Sequence, residues 1–440
     1  MYVHFAQKQK IFKGEIKMKK WLSILVAMVM ILSVGCSKAP ATQETPAEQK
    51  ETPAEQQETP AAEAPAEKIK ISFAVQADST PALETLVSTF NGSQDKYTVE
   101  IVEFTNDSSQ MHDQLITSLS SGSSEYDVMS LDVVWAGEFA AAGYIEALDM
   151  LMDEAGLKIE DFNAGSMASG SYQGKQYTLP YFPDLGLLYY RSDIVSEEDA
   201  AKLESGNYTY DDLYAMMEKY KGQGGTETAF TFQSKQYEGL TCNATEFTGA
   251  FQDLKAGLET MKKFTDSGLT PTDILNYDEG STDSNFKEGK AVFSRNWPYQ
   301  YGVIKGEGSK VKPEQIGVAP LPKGNVVGGW LLSINKNSKN KEGAWEFVKF
   351  VAGPEGQKIN STKGGYLPGY NALLEDEEVI AANELLQSEG FKKALTSTIA
   401  RPVSAEYSKL SDTIQVNVHK YLSGSQDIDT TVAAIEEVLK

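Results

Sequence analysis

From Lys68 onward, short apolar runs alternate with stretches whose apolar positions recur at helical spacing. IKISFAVQ (Ile69–Gln76) reads as a strand, and the next segment sets Leu83, Leu86, Val87 and Phe90 on one helical face. YTVEIVEF (Tyr97–Phe104) reads as a second strand, a helix follows around Ser109–Ser120, and YDVMSLD (Tyr126–Asp132) reads as a third strand. This alternation predicts a largely parallel sheet with helices on both faces. Further on, TYDDLYAMMEKYK predicts a helix capped near Thr209, and LKAGLETMKKFTDSG predicts one ended by Gly268. Tyr407, Leu410, Ile414, Val418 and Tyr421 form a late amphipathic stripe. The pattern predicts an α/β protein of two lobes.

The pattern before Lys68 is different. Lys19 and Lys20 lead into an uncharged, mostly apolar run from Trp21 to Val34. That run is shorter than the roughly twenty residues needed to cross a bilayer. A basic start, a short apolar run and a small residue before the cut fit a secretory signal peptide within residues 1–35, with Met18 as the start and Met1–Lys17 as upstream sequence. Gly35-Cys36 resembles the lipobox of bacterial lipoproteins, in which the cysteine becomes the lipid-bearing first residue. The usual leucine three places before it is Ser33, with Leu32 one place earlier. ETPAEQK at Glu44–Lys50 then returns as ETPAEQQ and as ETPAAEA. The period of seven suggests a coiled coil, yet no apolar residue in the repeat exceeds alanine. Its prolines break any helix, and nothing there offsets the entropy of ordering. Residues 36–68 therefore read as a tether.

Charge narrows the partners. The formal net charge is −22, and removing the six lysines and one glutamate of residues 1–35 leaves −27. Such a chain repels nucleic acid, and it repels an anionic lipid surface unless it is covalently anchored. Beyond Cys36 the only cysteine is Cys242, so no intramolecular disulfide is expected. At about 150 residues per domain, the remainder makes two domains.

Common catalytic signatures are missing. The mature chain has two histidines, His112 and His419, neither in a metal-ligand pattern. It has no HExxH, paired CxxC, GxSxG or GxxxxGK[ST]. Carboxylates are plentiful enough for a glycosidase pair, though a solvated acidic face accounts for most of them. No enzyme activity, cofactor or metal is expected.

Three segments interrupt apolar strands with aromatics, glycines and single charges: YTLPYFPDLGLLYYRSDI (Tyr177–Ile194), AVFSRNWPYQY (Ala291–Tyr301) and VVGGWLLSINKNSKNKEGAWEFVKFVAGPEGQ (Val326–Gln357). A sugar presents hydroxyls, which carboxylates and amides can bind, and C–H patches, which an indole can cover. Glycines before Trp330 would let ligand and backbone come close. On composition alone, the favoured reading is that Trp297 and Trp330 are core residues and Asp184 a turn residue.

Together with YDVMSLDVVWAGEFAAAGYIEALD (Tyr126–Asp149), KQYEGLTCNATEF (Lys235–Phe247) and ARPVSAEYSKLSDTIQ (Ala400–Gln415), these segments resemble the extracellular solute-binding proteins of carbohydrate ABC transporters, maltose/trehalose type. The resemblance extends over Lys68–Lys440, with the motifs in the family's order. It implies a periplasmic-binding-protein-like fold of class II, with a hinge and an interlobe ligand cleft. The first lobe would be residues 69–182 and 321–364, and the second 183–320 and 365–440. The chain would cross near Leu179–Gly186, near Gly317–Leu321 and around Gly364–Tyr370.

The resemblance also carries over site residues. Asp184 would bind hydroxyls from the hinge edge, Trp330 after Gly328-Gly329 would stack on a ring, and Trp297 would add a second aromatic wall. Arg401 could donate to a hydroxyl, and Asp132 and Asn243 match family positions in the first and second lobes. Gly329, Phe182, Glu238, Tyr366, Asp78 and Ser79 complete the expected ligand-binding set. The family's insertion after a segment like Cys242–Phe247 is missing, which trims the second lobe beside Asn243 and Glu246; Cys242 reads as a small buried apolar residue.

The implied function is a monomeric, non-enzymatic receptor for a di- or oligosaccharide. It would sit by a lipid anchor on the outer face of the cytoplasmic membrane and deliver sugar to permease subunits energised by a separate ATPase. A glycan-capture lipoprotein and a glycoside-processing enzyme are the alternatives.

Overall fold

Strand Ile69–Gln76 runs parallel to Tyr97–Phe104 in unbroken register, Ile69 beside Tyr97 through Gln76 beside Phe104. It also runs parallel to Val128–Asp132 on its other side. These are the first elements of a computed structural model that describes residues 67–440 except 403 and 405. The signal peptide, the Cys36 lipidation site and the repeat lie outside the described residues. Residues 65–440 form one compact unit.

The unit holds two main sheets. The first runs Thr398–Ile399, Asn325–Ile334, Val128–Asp132, Ile69–Gln76, Tyr97–Phe104, with Thr178–Leu185 also paired to Asn325–Ile334. The second runs Ile316–Ala319, Leu187–Arg191, Ala291–Asn296, Thr228–Thr231. The expected parallel pairing holds for the first three strands in sequence and recurs between Thr228–Thr231 and Ala291–Asn296 and between Asn325–Ile334 and Thr398–Ile399, but the sheets as a whole are mixed. Asn325–Ile334 is antiparallel to both Val128–Asp132 and Thr178–Leu185. Leu187–Arg191 is antiparallel to both its neighbours. Only a helical crossover within one sheet enforces parallel pairing; these strands arrive from the other lobe.

The expected helices form where the periodicity puts them. Leu83, Leu86, Val87 and Phe90 are the buried face of helix Ala82–Ser93. Helix Tyr210–Tyr220 opens with a capping box: Thr209 Oγ1 accepts from the Asp212 amide, and Asp212 accepts from the Thr209 amide. Helix Tyr407–Leu422 buries Tyr407, Leu410, Ile414, Val418 and Tyr421. Each such side chain contributes roughly 1.5–3 kcal/mol on burial. Phe347 packs edge-on to Phe73 and Phe90 in the first lobe, with both centroid distances 5.2 Å. In the second lobe Tyr210 stacks on Phe247 at 4.3 Å.

The chain leaves the first sheet at Leu185, enters the second at Leu187, and returns between Ala319 and Asn325. The strand containing residues 183–185 thus belongs to the first lobe, whereas the sequence puts the boundary after 182. The stretch after 364 also differs from expectation, because part of it stays on the first lobe. Tyr370 bridges to Phe162, and the Asn371 side chain donates to the carbonyls of Glu160 and Phe162. Among the described residues no helix is long and apolar enough to cross a membrane.

Candidate functional site

One face of the first sheet builds half of a cleft. Residues opposite each other in an antiparallel pair share a face, as do residues two apart on a strand. Trp330 pairs with both Asp132 and Phe182, and Gly328 pairs with Asp184. Register therefore puts Asp132, Phe182, Asp184, Gly328 and Trp330 on one surface, and all five line the cleft. An irregularity between Trp330 and Leu331 shifts the register, so that Leu331 pairs with Pro180. Trp330 is held edge-on by Trp135 at 5.4 Å and stays half-buried.

The second lobe supplies the opposite wall. Trp297 follows the end of strand Ala291–Asn296, and its ring lies over the Arg295 guanidinium at 4.1 Å. Tyr237 and Glu238 open helix Glu238–Thr248, where Glu238, Gly239 and Cys242 face the cleft. The cleft encloses about 920 Å³ of empty space, part of it continuous with solvent.

Gly328 and Gly329 line the cleft and also meet packing demands. A Cβ on Gly328 would sit 2.7 Å from the Trp297 ring, so that glycine admits an aromatic from the opposite wall. Gly329 has φ of +124° and lies against the Phe182 carbonyl, where no side chain fits.

Hydrogen bonds sort the remaining expected residues. The Arg401 guanidinium donates to both oxygens of Asp132, at 2.7 and 3.2 Å, and to Glu238 at 2.8 Å. Glu238 also accepts from Tyr407 and Ser411. Burial pushes the Glu238 carboxyl up, Arg401 pulls it down, and the direction that remains is up. Arg401 is 4% exposed, and its Nε has no partner among the described residues. Asp78 is occupied by the Thr80 amide and hydroxyl, the Leu83 amide and the Tyr366 hydroxyl. Tyr366 stacks on Phe182 at 4.2 Å. Asp78, Phe182 and Tyr366 thus brace one another at the cleft edge, where Ser79 is exposed.

Asn243 is not brought to the cleft. It is fully buried and donates to Gln233 and the Gly239 carbonyl, in a layer behind the wall. That layer centres on Arg295, which gives Glu246 two hydrogen bonds of 2.6 and 2.8 Å with both side chains 1% exposed. Gly186, where the chain passes between sheets, abuts this pair: a Cβ there would collide with the Glu246 carboxylate and the Arg295 guanidinium.

Residues 85–387 match the profile of the bacterial extracellular solute-binding protein family. The chain belongs to this family. It is 27% identical over 355 residues to a probable ABC transporter-binding protein of Deinococcus radiodurans, covering 74% of this chain and 82% of that one. It is 27% identical over 325 residues to a maltotriose-binding protein of Pyrococcus abyssi, covering 70% and 66%. Its fold is similar to that of maltose-bound MalE3 of T. maritima, with TM-score 0.75 and 28% identity, covering 84% of this chain and 99% of that one.

One acidic cleft residue of this solute-binding protein is not foreseen from the sequence. Glu279 lines the cleft at the start of helix Glu279–Lys287, accepting from the Tyr237 hydroxyl at 2.6 Å and from Trp297 Nε1 at 3.4 Å. Burial holds its carboxyl above the ordinary range. The trimmed connection after Phe247 is a left-handed turn through Gly249, Ala250 and Phe251. It lies at the end of helix Glu238–Thr248 away from the cleft-lining residues, so the wall beside Cys242 is intact. Cys242 is a free, buried thiol, raised by burial, that also lines the cleft.

Proposed function

We propose that the protein is an extracellular sugar receptor that closes on a di- or oligosaccharide and delivers it unchanged to the permease of an ABC transporter. The observation that carries this reading is the cleft wall, where Trp330 from one lobe and Trp297 from the other flank Asp184. Indole faces suit sugar C–H patches, and a carboxylate accepts from adjacent hydroxyls. Family membership and the likeness to the maltose-bound and maltotriose-binding proteins support the same reading. Lobe movement would centre on the crossings at Gly186 and residues 320–324.

The family implies export. Cys36 serves as the lipid attachment point and residues 36–68 as the tether to the membrane. The receptor acts as a monomer without cofactor or catalysis, and a separate ATPase supplies the energy. Asp132, Glu238 and Arg401 act as one charged unit at the cleft wall, and Asn243 supports that wall from behind.

A thermal-shift screen against mono- and disaccharides tests the reading. A true ligand at a hundred times Kd stabilises the fold by about 2.7 kcal/mol. No shift with any saccharide would overturn it.

A further inference from the structure

Five carboxylates line the cleft: Asp78, Asp132, Asp184, Glu238 and Glu279. Among the described residues the one basic side chain lining it is Arg401, whose terminal nitrogens already serve Asp132 and Glu238. The neighbouring guanidinium, Arg295, is sealed behind the wall by Glu246 and Gln233. An anionic substituent entering the cleft therefore meets a lining rich in carboxylates, with no unpaired cation among the described residues to receive it.

Three of the five carboxylates are matched within the protein, Asp78 by four donors and Asp132 and Glu238 by Arg401. Asp184 and Glu279 are not matched by a cation. The Asp184 carboxylate takes one hydrogen bond, from the Leu185 amide at 3.1 Å. Glu279 takes only the neutral donors Tyr237 and Trp297. Both carboxylates adjoin the same indole, since Trp297 bonds Glu279 through its nitrogen while its far rim lies over Gly328, the strand partner of Asp184. Burial raises both carboxyls; the Leu185 amide and Arg295 lower Asp184 while Glu279 and Asp132 raise it, Tyr237, Trp297 and Arg295 lower Glu279, and the net direction of both is up. The other charged or titratable groups around the pair are Arg295, Asp283, Tyr189, Tyr237 and Tyr299.

A metal ion does not fit this imbalance, because no group of three potential ligands among the described residues could hold one. An organic ammonium fits it. Its N–H groups bond carboxylates, and its charge is attracted to the part of the Trp297 indole that lines the cleft, the ring's other charged neighbour being the Arg295 guanidinium at 4.1 Å.

We propose that the sugar this cleft selects carries a protonated amine, seated against Trp297 between Asp184 and Glu279, and that uronic acids and sugar phosphates are excluded. The inference rests on the sugar-receptor reading and narrows it to amino sugars. It has a protonic signature: the ammonium favours the ionised carboxylates, so binding releases protons and strengthens as pH rises toward neutrality, while the amine stays charged.

Isothermal titration at pH 7 against matched neutral, amino, N-acetylamino and uronic forms of glucose, galactose and mannose, with maltose, cellobiose and the glucosamine disaccharide, tests it. In any set with a binding member, the amino form is expected to bind at least tenfold tighter than the neutral and N-acetylated forms, and the uronic form not at all. Glu279→Gln should erase that preference while its melting temperature stays near wild type. A neutral or uronic form binding tightest overturns the amine inference and leaves the sugar reading standing. Binding of putrescine or spermidine with no saccharide overturns the sugar reading and, with it, this amino-sugar assignment. Silence with every probe overturns both.

Discussion

The Asp132 carboxylate receives two hydrogen bonds from Arg401, joining the end of a first-lobe strand to a segment more than two hundred residues later. With Glu238 as second acceptor, the three side chains form a buried charged unit. Removing the cation alone strands two buried carboxylates. Arg401→Met should cost about 3–5 kcal/mol in urea unfolding, and adding Asp132→Asn and Glu238→Gln should recover much of the loss.

Trp330 and Asp184 share one face of the sheet without being buried in its core. An aromatic contact contributes about 0.5–1.5 kcal/mol and a charged hydrogen bond about 1.5–3 kcal/mol. Trp330→Ala and Asp184→Asn should each weaken sugar binding about tenfold or more, with circular dichroism and melting temperature near wild type. Retained affinity in both would sink the site assignment.

His112 links the lobes. Its Nε2 lies 3.1 Å from Glu138 and 3.0 Å from the Ser408 hydroxyl, which itself donates to Glu138. Burial pushes His112 down, but Glu138 and the adjacent Asp113 outweigh it, and the net direction is up from 6.5. Asp412 also faces this imidazole. A raised histidine stabilises the fold fully below its unfolded pKa, and that contribution is lost as pH rises through the folded value. For Glu138, burial raises the carboxyl and His112 lowers it further, so its contribution is lost only in acid. Melting temperature should therefore fall as pH rises above about 6.5, and His112→Gln should flatten that slope.

Gly186 sits against the Glu246–Arg295 pair at the first crossing, whereas Gly137, in a first-lobe helix, has open space around it. Gly186→Ala should destabilise by about 1–3 kcal/mol through overpacking. Gly137→Ala should be neutral or stabilise by about 0.4–1 kcal/mol. Equal melting temperatures for the two variants would refute the steric account.

Much of the fold was legible because periodicity and caps are local. Ile69–Gln76, Tyr97–Phe104 and the Thr209 cap carry their signals within a few residues. The antiparallel return of Asn325–Ile334 was not, since pairing between distant segments leaves no local period. Trp297, Trp330 and Asp184 were legible as polar or aromatic interruptions of apolar strands. Glu279 was not: it opens EGSTDSNFK behind the Asp278 cap and reads as an ordinary polar helix start, and only packing against Tyr237 and Trp297 buries it. Asn243 matched a family position, but helix rotation decides its place. Glu238, Gly239 and Cys242 take the cleft side, which turns Asn243 to the rear.

The central claim is that the interlobe cleft binds a saccharide and does not transform it. Isothermal titration of the purified protein with the saccharide panel, run in parallel on Trp330→Ala, tests this most directly. The account predicts a saturating one-to-one heat with at least one sugar, weakened tenfold or more in the variant. No heat with any sugar, an unchanged isotherm in the variant, or a continuous heat of turnover would contradict it.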